Sequence, residues 1–218
     1  MKFINLHTHQ NTKDSVVLSI YNNRAGHLPY ELDYFFSMGI HPWDAHLFDI
    51  EKAESIFHEV VHLSHFMAIG ECGLDKFAEA SLSIQIPLFE SQLRFALKNN
   101  KPVIIHCVKA FDELLEVTKP YLNKIPLIIH GFNKSIELAK DLIQKGFYLS
   151  INPTVLNDVS YNHKALPIEK IFLETDDKEN TTIEKCYEIL SSKINLTIPD
   201  LKKKIYSNFD AVFYEPKK

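Results

Sequence analysis

The sequence predicts one α/β domain over residues 1–218, a compact (β/α)8 TIM barrel that is somewhat irregular in its first βα units. Eight short apolar runs recur along the chain, rich in β-branched and aromatic residues and without alternation of polarity. This pattern is typical of strands buried on both faces of a parallel sheet. Stretches with helical spacing separate most of the runs, which indicates right-handed βα units. Eight such units at this length favour a TIM barrel.

The predicted elements follow in chain order. The strands are Phe3–Leu6, Val16–Ile20, Phe35–Ile40, Phe66–Ile69, Val103–Ile105, Leu127–Ile129, Phe147–Ile151 and Ile171–Leu173. The helices are Ile50–Ser64, Ser83–Lys98, Phe111–Tyr121, Ser135–Lys145, Thr182–Ser191 and Pro199–Phe213. Between the second and third strands, Asn22–Asp33 contains Gly26 and Pro29 and predicts a loop. The barrel is therefore expected to be irregular there.

Composition excludes several protein classes. The hydrophobic content of 45% excludes a disordered tail. The balance of 24 Lys+Arg and 28 Asp+Glu gives a net charge of -4, which excludes a strongly basic coat protein. The start MKFINLHTHQ lacks the apolar core of a signal peptide, and no run is long enough for a membrane helix, so we expect a cytoplasmic protein without a membrane partner. Three scattered cysteines fit a reducing compartment. The 11 histidines direct attention to metal or acid–base chemistry.

Ligand-type side chains directly follow most of the apolar runs. They are His7 and His9, His41, Glu71, His106, His130, and Glu174 and Asp176. Side chains two apart on a strand point to the same face, so His7 and His9 can reach one ion. Because barrel enzymes place their active sites at the carboxyl ends of the strands, we expect these residues to converge there.

Four histidines and two carboxylates suit a pair of divalent cations. His7 and His9 with Asp176 and Glu71 suit one ion, and Glu71 with His106 and His130 suits a second, with Glu71 bridging. Imidazole and carboxylate ligands fit zinc, manganese or other first-row ions, and magnesium is a further candidate. Two close ions stabilise the attacking and leaving oxygens of a phosphoryl displacement and lower the pKa of a bound water.

The order of these motifs resembles the TatD-type metal-dependent deoxyribonucleases, within the amidohydrolase-like barrel superfamily. The motifs are HxH near the start, GIHP, IGECGLD, the run ending in His106, His130-Gly131-Phe132, LETD, and the closing Asn208-Phe209 and Phe213. The resemblance implies a TIM barrel with a divalent metal pair that hydrolyses DNA phosphodiester bonds, often as a 3′-to-5′ exonuclease. By motif position it implies six metal ligands. These are His7, His9, Glu71, His106, His130 and Asp176.

The sequence departs from the family in its loops. Val108 and Lys109 follow His106 where an Arg is common, Lys134 stands where a Gly is common, and Asp177-Lys178 follow LETD where a Pro is common. These loops hold substrate rather than metal. The departures therefore bear on the identity of the substrate more than on hydrolysis.

Roles can be assigned to individual residues. Asp176 and Glu71 are the catalytic candidates, Asp176 as a ligand that also acts as general base towards the attacking water. Glu174 is expected to hold a ligand, and Asp75 to orient a ligand or a loop. His41 and Lys109 are the substrate-binding candidates, with His41 contacting phosphate rather than metal.

Other residues leave two interpretations open. Trp43 offers a ring for a base or packs its loop. His58, His62 and His65 have a helical spacing that could bind a metal, but an outer helix face is expected. Lys202-Lys203-Lys204 could contact DNA, but a solvated helix face is expected there too. Cys72 and Cys107 are expected to turn away from the ligands into packing.

The predicted function is DNA hydrolysis by a water activated by two ions. One alternative keeps the metal site and hydrolyses a small phosphate ester or an aminoacyl ester. A third hypothesis is a barrel that binds nucleic acid or a partner without turnover. Neither the residues nor the resemblance implies a protein partner.

Overall fold

A computed structural model describes residues 1–10, 14–26, 33–178 and 180–214 of the chain. Residues 27–32 lie outside this part, and with them half of the predicted loop, including Pro29 and also His27, for which the sequence indicates no role. Among the described residues, no helix combines the length and the apolar character needed to span a membrane.

The strands confirm the predicted fold class. They are β1 Phe3–Thr8, β2 Val17–Arg24, β3 Phe35–Gly39, β4 Phe66–Asp75, β5 Val103–Val108, β6 Leu127–Ile129, β7 Tyr148–Ile151 and β8 Ile171–Leu173. They form one sheet in chain order, and a parallel bridge between Thr8 and Asp176 joins the end of β8 to β1. This connectivity is that of a (β/α)8 barrel.

The helices largely match the predicted spans. They are α1 Ile50–Val60, α2 Leu82–Lys98, α3 Phe111–Thr118, α4 Ile136–Gln144, α5 Pro153–Asn157, α6 Ile183–Ile194 and α7 Ile198–Phe213. Short 3-10 helices span Pro42–Leu47, Lys119–Tyr121, His163–Ala165 and Ile168–Lys170. The first predicted helix ends at Val60 instead of Ser64. Neither α5 nor most of the 3-10 helices is predicted from the sequence, because a segment this short shows no helical period.

The chain packs as two compact units, one of residues 1–21 and 129–214 and the other of residues 22–128. In the first unit, Tyr187 of α6 is fully buried against β1. Its hydroxyl accepts a hydrogen bond from the Ile4 amide at 3.1 Å and donates to the Ile4 carbonyl at 3.3 Å. This contact fixes the strand that carries His7. The single domain over 1–218 stays a prediction.

In the second unit, α2 packs on β4 and fixes the ends of two strands through buried glutamines. Gln92 accepts a hydrogen bond from the Ile40 amide, just after β3, at 2.8 Å. Gln85 accepts one from the Asp75 amide, at the end of β4, at 2.8 Å. Both side chains are almost fully buried. Because each glutamine pairs with backbone, the strand ends that carry polar residues are held in one position.

Candidate metal centres

The first unit brings together a group that we name the first cluster, with members from the ends of β1, β6 and β8. Its members are His7, His9, His130, Glu174 and Asp176. Backbone pairing between β1 and the residues after β8 assembles it. The Asp176 amide donates to the His7 carbonyl at 3.0 Å, and the His9 amide donates to the Asp176 carbonyl at 3.2 Å. The local strand pairing therefore places both predicted imidazoles beside the predicted carboxylate.

The spacing of the ligand atoms in the first cluster suits a cation. Nε2 of His7 lies 3.8 Å and Nε2 of His9 lies 3.7 Å from Oδ1 of Asp176. These separations exceed a hydrogen bond. Donor atoms around a tetrahedral ion with bonds near 2.1 Å are roughly 3.4 Å apart. His7 is completely buried and Asp176 mostly so. These residues therefore fit a divalent ion.

Glu174 is the fully buried carboxylate of the first cluster. Its Oε1 accepts a hydrogen bond from the Gly131 amide at 2.6 Å and lies 3.7 Å from Nδ1 of His130. Burial alone would raise the pKa of Glu174, but the favourable interaction with the adjacent His130 ring, with the charge of His7, outweighs burial and lowers it. An ionised Glu174 beside His130 supports the predicted orienting role.

The second unit brings together another group, the second cluster, around the carboxylate of Glu71. Its members are Asn22, His41, Trp43, Glu71, Asp75 and His106. Oε1 of Glu71 lies 2.8 Å from Nδ1 of His106 and 3.1 Å from Nε2 of His41. Unlike the first cluster, these atoms lie at hydrogen-bond distance. The ligand atoms of these three residues also lie close enough together to hold one ion.

Asp75 holds the far side of the His106 ring. Its Oδ2 lies 3.1 Å from Nε2 of His106, while Oδ1 accepts a hydrogen bond from the Phe77 amide at 2.8 Å. Burial alone would raise the pKa of Asp75. The hydrogen bonds from Phe77, Trp43 and His106 outweigh it, so the pKa lies below its usual value. The 2.8 Å contact between Nδ1 of His106 and Glu71 requires a proton on Nδ1. With an ion bound, the Asp75 carboxylate would hold the ring proton on Nε2, and Nδ1 would be the ligand atom.

The position of His41 favours a hydrogen-bond donor over a metal ligand. Its Nδ1 accepts a hydrogen bond from the Trp43 amide at 3.1 Å and so caps the 3-10 helix Pro42–Leu47. A neutral imidazole that accepts at Nδ1 carries its proton on Nε2. Nε2–H is then directed at Glu71. If Nε2 bound a metal ion, the ring proton would have to be on Nδ1, where it would face the N–H of Trp43. The local structure therefore supports the predicted phosphate contact of His41.

Close approach of β4 and β5 sets the distance between Glu71 and His106. Gly73 pairs with His106 in the register, and a register shift lies between Ile69 and Cys72, around Glu71. A Cβ on Gly73 would lie 2.0 Å from the His106 carbonyl oxygen, and Gly73 has φ +143°. Only glycine fits both conditions. The second glycine in the motif IGECGLD is thus explained by backbone packing beside the ligands.

Comparison with known proteins decides the family. The family described as TatD related DNase matches residues 6–214, which include every member of both clusters. The chain belongs to this family. Among relatives, the 3'-5' ssDNA/RNA exonuclease TatD of Citrobacter rodentium is 30% identical over 159 residues, covering 70% of this chain and 59% of that protein. The enzyme of the same name from Escherichia coli is 31% identical over 145 residues, covering 63% and 55%.

Solved TatD structures share the fold. YJJV, a TATD homolog from Escherichia coli k12, matches with a TM-score of 0.82 at 18% identity, covering 98% of both chains. A hydrolase TatD family protein from Entamoeba histolytica matches with a TM-score of 0.79 at 15% identity, again covering 98% of both. The sequence matches, in contrast, span 47% to 60% of the lengths of the first relatives.

The structure differentiates the remaining predicted residues of this TatD-family chain. Trp43 does not pack inside its loop, because 54% of it is exposed. Lys109 lies exposed in the turn after β5 with φ 56°. Cys72 is buried as expected, whereas Cys107 is only half-buried. His58 lies exposed on α1, as expected, with its ring against that of Phe95 on α2. His62 and His65 lie beyond Val60, where α1 ends, so the three histidines do not share one helix face.

Asn22 is a residue of the site whose role the sequence did not predict. Its side-chain amide donates to Oε2 of Glu71 at 3.2 Å, and its side-chain oxygen accepts from the Glu71 amide at 3.1 Å. The two bonds fix both the backbone and the carboxylate of Glu71. Asn22 ends the apolar stretch of β2 as His7 ends that of β1, so the rule of polar residues at strand ends could have found it.

Proposed function

We propose that the chain is a metal-dependent hydrolase that cleaves DNA phosphodiester bonds and acts as a 3′-5′ exonuclease. The observation that carries this proposal is the spacing in the first cluster, where two imidazole nitrogens lie 3.7 and 3.8 Å from one carboxylate oxygen. Family membership and the names of the relatives support a nuclease. Two divalent ions are the proposed cofactors.

The residues proposed to hold the ions come from both clusters. His7, His9, His130 and Asp176 are the ligands in the first cluster, and Glu71 and His106 are those in the second. The assignment of each residue to an ion, with Glu71 bridging, stays a prediction. Imidazole and carboxylate donors suit zinc or manganese, and magnesium is tested beside them. When bound, such ions neutralise phosphate charge and lower the pKa of water.

Proton transfer is assigned to side chains of the chain itself. Asp176 accepts the proton of the attacking water, since its carboxylate is held near His7 and His9 and is still partly exposed. Nε2–H of His41, which faces Glu71 at 3.1 Å in the structure, would donate to a phosphate oxygen once Glu71 is engaged by an ion, because Nδ1 of His41 is already satisfied by the Trp43 amide. Glu71 is the second catalytic carboxylate, and Lys109 is proposed as a phosphate contact.

The substrate is proposed to be single-stranded nucleic acid, with DNA as the main case. The net charge of the chain is -4, so composition provides no general attraction for phosphate. Bound cations would supply the local positive charge instead. The proposed location is the cytoplasm, and the basis is that none of the three cysteines forms a disulfide.

A nuclease assay with point variants tests the site. The wild-type protein, loaded in turn with Mg²⁺, Mn²⁺ or Zn²⁺, is compared with His7→Ala and Asp176→Ala on end-labelled single-stranded DNA. We expect each substitution to reduce the rate by at least about 10²-fold, because it removes a ligand or the general base. His62→Ala, an exposed histidine of the second unit, is the matched control and should leave the rate unchanged. Full activity in both variants would refute the assignment.

A substrate panel tests the chemical class. It contains single-stranded DNA, RNA, a small phosphomonoester and an aminoacyl ester, each with the same metal-loaded protein. The proposal expects the highest turnover on nucleic acid and products released stepwise from the 3′ end. Strong turnover of a small ester with none on DNA would replace the nuclease by the alternative hydrolase. Binding of DNA without turnover under all metals would favour the non-catalytic barrel.

A further inference from the structure

The indole of Trp43 is an exposed aromatic surface held in a fixed position within the second cluster. About half of the residue is exposed, although Trp is usually buried on average. Its Nε1–H nevertheless donates to Oδ2 of Asp75 at 2.8 Å. The edge of the ring is therefore anchored while a large part of the ring remains open to solvent. An apolar ring in this state is suited to contact a ligand.

The anchor also connects Trp43 to the proposed chemistry. The same oxygen, Oδ2 of Asp75, lies 3.1 Å from Nε2 of His106. The ring centroid of Trp43 lies 4.9 Å from that of His41, and its backbone amide donates to Nδ1 of His41. One residue thus adjoins both the proposed phosphate donor and the carboxylate behind a proposed ligand. A group bound on the indole would lie beside a phosphate at His41.

We infer that Trp43 is a stacking platform for the base of the nucleotide at the cleaved bond, and that Asp75 is the positioning residue that holds it there. The inference rests on the proposed nuclease function and deepens it, because it assigns the recognition of a base to a named side chain. Stacking does not distinguish between bases, since every base has a π face. It does distinguish a nucleic acid from a phosphodiester that lacks bases.

Trp43 is the only tryptophan of the chain, so its fluorescence reports directly on the platform. The probe is a short single-stranded oligodeoxynucleotide with phosphorothioate linkages, which is hydrolysed slowly, in the presence of the metal that supports hydrolysis. The paired probe has the same length and abasic sugars. We expect the base-bearing strand to quench the emission and to bind more tightly than the abasic strand. Equal emission with both strands at saturation would overturn the inference.

Substitutions at Trp43 provide the second measurement, with binding followed by polarisation of a labelled strand. Trp43→Leu removes the ring and should weaken binding of the base-bearing strand by about 5- to 150-fold, with little change for the abasic strand. Trp43→Phe keeps a ring and should retain much of the affinity. Phe77→Leu is the matched control, because Phe77 is a more exposed aromatic residue in the same unit. A loss in Phe77→Leu with none in Trp43→Leu would refute the platform.

Asp75→Asn tests the anchor separately. The base-bearing strand should quench the Trp43 emission less in Asp75→Asn than in the wild-type protein, because the variant weakens the anchor of the indole. KM for DNA should also rise beyond any change in KM for an abasic substrate. Equal changes for the two substrates would mean that Asp75 acts only through His106. If the nuclease assay fails while quenching by the base-bearing strand persists, the proposed function falls and the platform stands. If hydrolysis occurs without selective quenching, only the platform falls.

Discussion

Replacing Gly73 by alanine should disrupt the second cluster through the backbone. The added Cβ would lie 2.0 Å from the carbonyl oxygen of His106 and 3.0 Å from its carbonyl carbon. Overpacking of this kind costs about 1–3 kcal/mol. The backbone of Gly73, at φ +143°, adds strain of about 1–3 kcal/mol for a residue with a side chain. The free energy of unfolding should therefore fall by about 2–6 kcal/mol.

Gly26→Ala separates the two contributions. Gly26 also has positive φ, at +88°, but no heavy atom of the described residues lies within 4 Å of a Cβ built there. The free energy of unfolding of Gly26→Ala should fall only by the cost of backbone strain, about 1–3 kcal/mol. Urea denaturation of both variants measures the free energies, and a calorimetric metal titration measures ion affinity. Ion affinity should fall in Gly73→Ala alone. Equal losses of stability in the two variants, with unchanged ion affinity in both, would refute the argument from close approach.

Three further predictions concern single contacts. Tyr187→Phe removes the hydroxyl that serves both backbone groups of Ile4, so the free energy of unfolding should fall by about 2 kcal/mol in a urea titration; an unchanged midpoint would contradict this. Asp75→Asn places the side-chain NH2 group against an N–H donor in either orientation, that of His106 or that of Phe77. Ion affinity measured by calorimetry should therefore fall about 10- to 100-fold, and an affinity equal to that of the wild type would refute the orienting role. Burial and, secondly, Glu174 raise the pKa of Cys186 to about 12, so this thiol should react with iodoacetamide in mildly alkaline urea but not in the native protein.

Much of the fold could be predicted because its signals are local. Buried parallel strands produce continuous apolar runs, and each of the eight predicted runs corresponds to a strand. The spacing of His7 and His9 predicted a common face, and both do face Asp176. The short α5 helix and the division of the chain into two compact units left no such local pattern. They depend on packing between residues far apart in the sequence.

Most residues of the candidate site could be predicted from the sequence, but their hydrogen-bond partners could not. The strand-end rule identified His41, Glu71 and His106 as residues with polar roles. It did not indicate that Asp75 accepts hydrogen bonds from two rings and an amide, or that Nδ1 of His41 is used as a helix cap. These partners are set by side-chain rotamers and by the register of neighbouring strands. A linear sequence does not specify them separately.

The most direct measurement of the central claim is DNA hydrolysis by one protein preparation before and after removal of its divalent ions. Single-stranded DNA labelled at its 5′ end is incubated with protein stripped by a chelator, and then with the same protein after each candidate ion is added back. The account predicts no cleavage by the stripped protein and stepwise shortening from the 3′ end when an ion is restored. Cleavage at the full rate by the stripped protein would contradict it.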